Sequence, residues 1–284
     1  METVQDEQWT KVIGPRTGWF DIKLLELWKY RELIMLFVKR DFVIFYKQTI
    51  LGPFWFLLQP LFTTLVFTVI FGKIAHIPTD GLPQTLFYMC GIVIWGYFAN
   101  CLNKTSDTFM TNANIFGKVY FPRLVIPISV VIQNLITFGI QFLFFLGFLA
   151  YFYISGADVK INLWFFFMPI LLLQMAALGL GFGILVSSLT IKYRDLKFLI
   201  GFGVQLWMYA TPIVYPMSQI PKKWHWFYAL NPMSAIVETA RYALLGGGEI
   251  RPLHLMLSMG MTVIVLLTGI VMFSRVEKTF VDTV

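Results

Sequence analysis

Long stretches without charge dominate the pattern of this chain. Six stretches of 23 to 34 residues contain no Asp, Glu, Lys or Arg. A helix needs about 20 mostly apolar residues to cross a lipid bilayer. The pattern therefore predicts an all-α protein with six membrane-spanning helices. They lie near residues 53–73, 84–104, 126–153, 163–190, 197–215 and 253–274.

A seventh apolar stretch, from Trp224 to Val237, has 14 residues and is too short to cross. Pro216, Pro221 and Pro232 divide its surroundings, because proline breaks a helix interior and disfavours helix just before it. We expect short pieces here, lying at the membrane surface or re-entering it.

Residues 21–38 repeat apolar positions with the period of a helix, which predicts an amphipathic helix on the membrane surface. Arg31 falls on the apolar face, from which its long side chain would reach the aqueous boundary. Residues 1–32 contain no apolar core of the kind that marks a signal peptide. The predicted apolar face consists of Leu24, Leu27, Trp28, Met35 and Val38.

Composition agrees with a membrane protein, because 58% of the residues are hydrophobic and only 13% are charged. A soluble domain has about a quarter charged residues, and a disordered chain is less apolar. The net charge of +7 indicates basic cytoplasmic loops rather than nucleic-acid binding. With the N-terminus inside, 16 of the 22 Lys and Arg residues lie on the inner side and 6 on the outer side. Both termini are therefore expected in the cytoplasm.

The chain is expected to have three parts. They are an N-terminal region (1–47), a membrane domain (48–275) and a short tail (276–284). The membrane domain includes a cytoplasmic loop, residues 105–123, and an outer segment, residues 216–250. Apolar side chains in this loop, such as Phe109, Phe116 and Phe121, are expected to be exposed and therefore suggest a docking surface. The alternative is a loop that lies on the lipid headgroups.

Several kinds of chemistry are disfavoured by the sequence. No charged residue lies in the middle of a span, which argues against a proton-coupled carrier but leaves sodium coupling at broken helices open. Cys90 and Cys101 are too far apart on one helix for a disulfide. No metal site is expected, because His76, His225 and His254 are isolated from other ligands.

Two further spacings have structural explanations. Glu238 and Arg241 are three residues apart, so they can pair on one helix face, and an ion pair is favoured over catalysis. Gly179 and Gly183 form a small-xxx-small pair typical of closely packed membrane helices. The G-x-x-x-x-G-K-[S/T] motif is absent, so the chain is not expected to bind ATP through a P-loop.

Four stretches resemble the membrane subunit of polysaccharide-exporting ABC transporters, in the ABC-2 permease family. Together they extend from residue 40 to the start of the last span. They are RDFVIFYKQTILGPFWFLLQPL (40–61), NIFGKVYFPRLVIPIS (114–129), YRD (193–195) and TPIVYPMSQIPKKWHWFYALNPMSAIVETARYALLG (211–246).

The resemblance implies a homodimer that binds two copies of a cytoplasmic ATPase, which would hold ATP and Mg. It also implies that the loop 105–123, called the coupling loop below, docks on this ATPase. The first and fifth spans would line the channel. A pair of short re-entrant helices in the outer segment, between spans five and six, would form a gate. The implied coupling residues are Asn112, Phe116, Lys118, Phe121 and Arg123. The implied channel-lining residues are Trp55, Gln59, Trp207 and Tyr209. The implied gate residues are Tyr215, Trp224, Trp226, Asn231, Glu238 and Arg241.

The expected function is therefore export of a lipid-linked polysaccharide across a bacterial inner membrane. O-antigen is the first choice of cargo, with teichoic acid or capsule as alternatives. A small-molecule exporter of the same family is disfavoured by the four stretches. A glycan-modifying membrane enzyme is disfavoured because acid and base residues do not gather at one face.

Overall fold

The computed structural model describes residues 24–47, 50–116, 118–119, 121–190 and 195–280, and every secondary-structure element in that part of the chain is helical. The predicted region 1–20, Tyr120 of the coupling loop, and Tyr193 and Arg194 of the third family stretch lie outside the described residues. The predicted all-α fold is confirmed.

Twelve α-helices are described, several of them extended by tighter or wider helical turns. The first six are α1 (Leu24–Lys29), α2 (Arg31–Lys47), α3 (Trp55–Phe67), α4 (Gln84–Ser106), α5 (Thr108–Thr111) and α6 (Ala113–Phe116). The others are α7 (Val125–Ile154), α8 (Met168–Thr190), α9 (Leu196–Tyr209), α10 (His225–Leu230), α11 (Pro232–Leu245) and α12 (Pro252–Phe280). A 3₁₀ turn at Gly52–Phe54 precedes α3 and a π-helix at Thr68–Ile74 continues it. Further 3₁₀ turns cover Leu163–Phe167, Met217–Gln219 and Lys222–Trp224.

Five helices in the described residues are long and apolar enough to cross a membrane, and each matches a predicted span within two residues at either end. They cover Gly52–Ile74, Gln84–Ser106, Val125–Ile154, Leu163–Thr190 and Pro252–Arg275. The other predicted span, 197–215, corresponds to α9, which has 14 residues and ends at Tyr209. Pro212 follows three residues later, and proline disfavours helix in the residue before it. A count of six spans stays a prediction.

The outer segment is divided as its prolines predicted. Pro216 and Pro221 each precede a 3₁₀ turn, and Pro232 is the first residue of α11. The side chain of Asn231 caps α11 by accepting a hydrogen bond from the Met233 N–H. Gly246 ends the helix with φ +79°, a conformation that glycine adopts without strain. Proline and glycine thus set the position of α11.

Helix α4 lies at the centre of the fold. In its most apolar stretch 72% of the residues are buried, against 22% in the first, third and last of the long helices. Its neighbours are α3, α7, α8, α9 and α11. The main core therefore forms around α4, and both cysteines, Cys90 and Cys101, are free and buried there. This confirms that they pack rather than form a disulfide.

Gly179 and Gly183 allow α8 to approach α4 closely. A Cβ atom on Gly179 would lie 2.7 Å from the Cβ of Cys101, and one on Gly183 would lie 2.5 Å from the Cβ of Thr105. Carbon atoms without a bond between them pack at about 3.5–4.0 Å, so either methyl group would push the helices apart. The predicted packing role of this pair is confirmed.

The N-terminal helix is present, but its buried face is rotated from the predicted one. Leu27 and Val38 are buried as expected, whereas Trp28 and Met35 are 72% and 58% exposed. Ile34 and Phe37 complete the buried face and pack in one cluster with Leu27 and Val38. Positions 27, 34 and 38 keep the spacing of one continuous helix, so the buried face as a whole is turned toward Ile34 and Phe37. The side chain of Leu24 lies outside the described residues.

Arg31 is exposed, as its predicted extension to the aqueous boundary requires. Its guanidinium carbon lies 6.0 Å from the ring centre of Trp28. The exposed Trp28, Met35 and Leu36 leave a second apolar face on this helix. One face of the helix therefore packs on the protein and another is available to lipid.

Gly183→Ala is expected to lower the free energy of unfolding by about 1–3 kcal/mol, because the added methyl group overpacks the contact between α4 and α8. The matched control is Gly147→Ala in α7, where a Cβ meets nothing within 4 Å. The control should be neutral or slightly stabilising. Thermal unfolding of the detergent-purified protein measures both, and equal unfolding temperatures for the two variants would contradict the packing role.

Candidate functional site

A buried ion pair anchors the outer segment in the core. Glu238 and Arg241 lie three residues apart on α11, and Arg241 Nη1 donates to Glu238 Oε1 over 2.9 Å. Their side chains are 9% and 1% exposed. The pairing predicted from their spacing is confirmed. Burial raises the pKa of the Glu238 carboxyl, and the neighbouring guanidinium opposes that rise.

Arg241 also joins α11 to two other parts of the chain. Its Nη2 donates to the backbone oxygen of Pro212 over 2.9 Å. Its guanidinium carbon lies 3.7 Å from the ring centre of Phe87 on α4, a close cation–π contact. The same side chain thus binds α11, the turn after α9 and the central helix.

Asn231 and Trp207 form a second connection between α9 and α11. The Trp207 Nε1–H donates to Asn231 Oδ1 over 3.0 Å. The amide nitrogen of Asn231 donates to the oxygen of Ala210 and to Thr211 Oγ1, at 3.2 and 3.0 Å. Because this side chain also caps α11, it fixes the end of α9 against the start of α11.

Trp207 lies among rings of the core rather than on an open surface. Its ring makes edge contacts with Trp95, Phe98 and Phe182, with centroids 5.2–6.0 Å apart. The family resemblance implied that Trp207 and Tyr209 both line a channel. In the chain only Tyr209 of this pair is exposed, at 44%. The position of Trp207 supports packing between helices.

Three tyrosines connect the end of α9 with α10. The Tyr215 hydroxyl donates to the backbone oxygen of Tyr209 over 2.7 Å. Its one proton is used there, so the hydroxyl of Tyr228, 2.7 Å away, donates to Tyr215. Burial raises the pKa of Tyr215, and the hydrogen bond with Tyr228 adds to the rise. Trp224 and Trp226 nearby are 50% and 61% exposed. Their exposure suits the membrane surface predicted for them.

The three phenylalanines of the coupling loop are buried in the chain rather than exposed. Phe109, Phe116 and Phe121 are 1%, 9% and 5% exposed. They pack on Phe273 of α12 and Phe37 of α2, with centroid distances of 4.6 to 5.8 Å. The expectation that these residues are exposed is therefore wrong, because the chain itself supplies apolar partners for them. A docking role for Phe116 and Phe121 stays a prediction without an exposed surface to support it.

Of the other predicted coupling residues, Asn112 and Arg123 are buried and Lys118 is exposed. Asn112 is buried, and its amide donates to the Thr108 oxygen over 3.1 Å. Arg123 is buried with its guanidinium 5.4 Å from the Phe116 ring centre. Lys118 is exposed. The exposed residues of the described loop are Met110, Thr111, Asn114, Lys118 and Val119.

Two polar contacts attach the coupling loop to neighbouring helices. Asp107 Oδ2 accepts from Lys197 Nζ at the start of α9 over 2.6 Å. Thr190 Oγ1 at the end of α8 donates to the Ser106 oxygen over 3.2 Å. These four residues stand in no motif of the sequence. The one signal in the sequence is their position at the ends of predicted spans, where charged residues resume near the membrane boundary.

Trp55 and Gln59, predicted to line the channel, lie on the surface of α3. Trp55 is 44% exposed, and Gln59 is exposed as well. Phe62 and Val66 continue the exposed surface toward the other end of the helix. A glutamine amide facing lipid would lose its hydrogen bonds, so this surface needs water or another polar partner.

Comparison with known proteins supports the family resemblance. The family model described as ABC-2 type transporter matches residues 32–245. A protein from Klebsiella pneumoniae named O-antigen export system permease protein RfbA is 28% identical over 217 residues, covering 76% of this chain and 81% of the relative. A second protein of that name and organism is 25% identical over 252 residues, covering 88% and 94%. The polysialic acid transport protein KpsM of Escherichia coli is 24% identical over 242 residues, covering 82% and 89%.

Arg241→Leu is expected to lower the free energy of unfolding by about 3–5 kcal/mol, because it leaves the buried Glu238 carboxylate without its partner. Combining it with Glu238→Leu should recover much of that loss. The control is Lys160→Ala, which removes an exposed pair with Asp158 and should cost under about 1 kcal/mol. Denaturant titration in mixed micelles measures all three. A double variant as unstable as Arg241→Leu alone would contradict the account.

Proposed function

The chain belongs to the ABC-2 type transporter family, and from that membership we propose that it is the membrane subunit of an ATP-driven polysaccharide exporter. The observation that carries the proposal is similarity along most of the chain to O-antigen export permeases and to a polysialic acid transport protein. These relatives match at least three quarters of this chain and most of their own length. O-antigen is the proposed cargo, and teichoic acid or capsule polysaccharide is the alternative.

The proposed assembly contains two copies of this chain and two copies of a cytoplasmic ATPase. The exposed Gln59 supports pairing, because a second copy or a water-filled passage between copies would satisfy its amide. ATP and Mg are assigned to the ATPase. The chain itself is proposed to be non-catalytic.

The proposed location is the bacterial inner membrane, with both termini in the cytoplasm. This orientation rests on the excess of Lys and Arg in the inner segments. The division into residues 1–47, 48–275 and 276–284 is retained, and α9 is proposed as the fifth of six spans. Trp55, Gln59 and Tyr209 are the proposed channel-lining residues that the chain leaves exposed.

Contacts of the coupling loop suggest how ATP hydrolysis opens the passage. The aromatic cluster holds the loop to α2 and α12, so force on the loop moves these helices with it. The contact between Asp107 and Lys197 carries the same movement to α9, the proposed fifth span. A long glycan needs a continuous water-lined path, which such a movement would open between the two copies.

Loss of this chain should remove the polysaccharide from the cell surface and leave its lipid-linked form inside the cell. Re-expression with the ATPase should restore export, and the purified chain alone should hydrolyse no ATP. Surface immunoblots and analysis of the intracellular lipid-linked pool measure these effects, and the accumulated glycan identifies the cargo. Unchanged surface polysaccharide in a strain without the chain would contradict the proposal.

Exposed and buried residues of the coupling loop are expected to differ in effect. Lys118→Glu and Val119→Asp should lower capture of the ATPase about fivefold while leaving the unfolding temperature unchanged. Phe116→Asp should lower both, because it buries a charge in the aromatic cluster.

Lys160→Glu, an exposed substitution at the predicted outer side, is the control and should change neither quantity. Co-purification from detergent extracts measures capture, and differential scanning fluorimetry measures unfolding. Full capture by both Lys118→Glu and Val119→Asp would show that this part of the loop does not dock.

A further inference from the structure

A cavity of about 390 Å³ lies beside the outer segment. Its walls come from Asp80 before α4, from residues 217–225, from the first turns of α11 and from residues 248–254. Cavities that bind small molecules have volumes of roughly 300–1,000 Å³. The cavity is therefore large enough for a small ligand. The residues proposed above to dock the ATPase or to line the channel do not form its walls.

Charges of both signs surround the mouth of the cavity. Asp80, Lys222 and Glu249 are exposed there. Asp80 Oδ1 accepts from Ser218 Oγ over 2.7 Å. Arg251 Nη1 donates to His225 Nδ1 over 2.8 Å. The mouth thus offers donors and acceptors side by side, with no single sign of charge.

Ser234 borders the cavity with a buried hydroxyl that has no hydrogen-bond partner in the described part of the chain. The residue is 3% exposed and lies on the first turn of α11. A buried polar group without a partner is rare and destabilising. A ligand hydroxyl at this wall of the cavity would supply the partner that the described chain lacks.

Glu238 supplies a second polar atom at the cavity wall. Its Oε1 is occupied by Arg241, while its Oε2 faces Gly248. A Cβ added to Gly248 would lie 2.9 Å from Oε2, so the glycine leaves free the space that a side chain would fill. Gly248 also has φ +94°, which disfavours other residues. The buried carboxylate also accepts a hydrogen bond from the Met217 N–H, and it lies at the cavity wall.

The chemistry of the walls indicates a neutral ligand with several hydroxyl groups. A lipid tail would leave the polar groups without partners, and an ion of either sign would meet like charges at the mouth. Among the described residues no group of three or more His, Cys, Asp or Glu side chains could hold a metal ion. Hydroxyl groups both donate and accept, as these walls require.

We infer that this cavity binds one sugar unit of the exported polysaccharide, with Ser234 and Glu238 as its buried contacts. The inference rests on the proposed function, which supplies a hydroxyl-rich chain on this side of the membrane. Because the walls include both the outer segment and the start of α12, a bound sugar bridges the two. The site would hold the glycan as it leaves the passage.

Photocrosslinking in cells that make the polysaccharide tests the site. A photoreactive benzoylphenylalanine replaces Ser218 or, separately, Lys222, in the complete complex with the ATPase. The control places it at Asp158, which is 82% exposed at the same predicted side but is not a wall residue. Glycan attached to the permease, detected with antibody to the surface polysaccharide, is expected at 218 and 222 and not at 158.

Two further substitutions test the buried and exposed contacts. Ser234→Ala should lower crosslinking from residue 218 about fivefold, the effect of one lost hydrogen bond. Its unfolding temperature should not fall, because the hydroxyl has no partner within the described chain. Ser258→Ala is the matched control, since Ser258 Oγ donates to the Pro232 oxygen and accepts from Gln174, and its loss should lower stability. Glu249→Gln, at the exposed mouth, should also reduce crosslinking.

Equal crosslinking at residue 158, or full crosslinking in both Ser234→Ala and Glu249→Gln, overturns the inference. Export by the unsubstituted chain without glycan at 218 or 222 also overturns it and leaves the proposed function intact. A strain that keeps its surface polysaccharide after deletion of the chain overturns both. The two failures are thus distinguished by whether export depends on the chain.

Discussion

The guanidinium of Arg241 is a full charge in the interior of an apolar protein, and the outer half of the fold is arranged around it. Such a group is tolerated only when paired and hydrogen-bonded. Its partners come from its own helix, from the turn after α9 and from the ring of Phe87 on α4. Three segments that are distant in sequence therefore have to meet at one side chain. Asn231 reinforces the arrangement by joining Trp207 and Thr211 to the start of α11.

The spans could be predicted because the bilayer imposes a length on every crossing helix and excludes charge from it. The predicted spans 84–104 and 163–190 agree closely with the observed helices for that reason. The direction in which side chains point was less predictable. Phe116 and Phe121 look like surface residues in a polar loop, yet α2 and α12 provide them with apolar neighbours that are remote in sequence. The buried face of the N-terminal helix is turned toward Ile34 and Phe37 because that side meets α7, and a periodic pattern does not contain such a contact.

The candidate site shows the same division between local and distant contacts. The pair of Glu238 and Arg241 follows from helical spacing, and the cap at Asn231 follows from an asparagine before a proline. The contact between Trp207 and Asn231, or that between Asp107 and Lys197, needs the tertiary arrangement. Helix α11 carries Ser, Thr, Glu and Arg and resembles a surface helix, although nearly all of it is buried. Its two charged side chains can be buried because they pair with each other, and Arg241 also donates to the Pro212 oxygen.

Because α4 is central but early in the chain, many of its contacts can form only after later helices have been synthesised. Pro232, where α11 begins, follows the end of α4 at Ser106 by 126 residues. At a synthesis rate of about 5–20 residues per second, α4 is in the membrane for roughly 6–25 s before α11 has begun to emerge. During that interval Phe87 lacks its contact with Arg241. The face of α4 that packs on α8 likewise has no partner until Gly179 and Gly183 have been synthesised. The interior of the protein is therefore completed after insertion, by rearrangement of helices that are already within the bilayer.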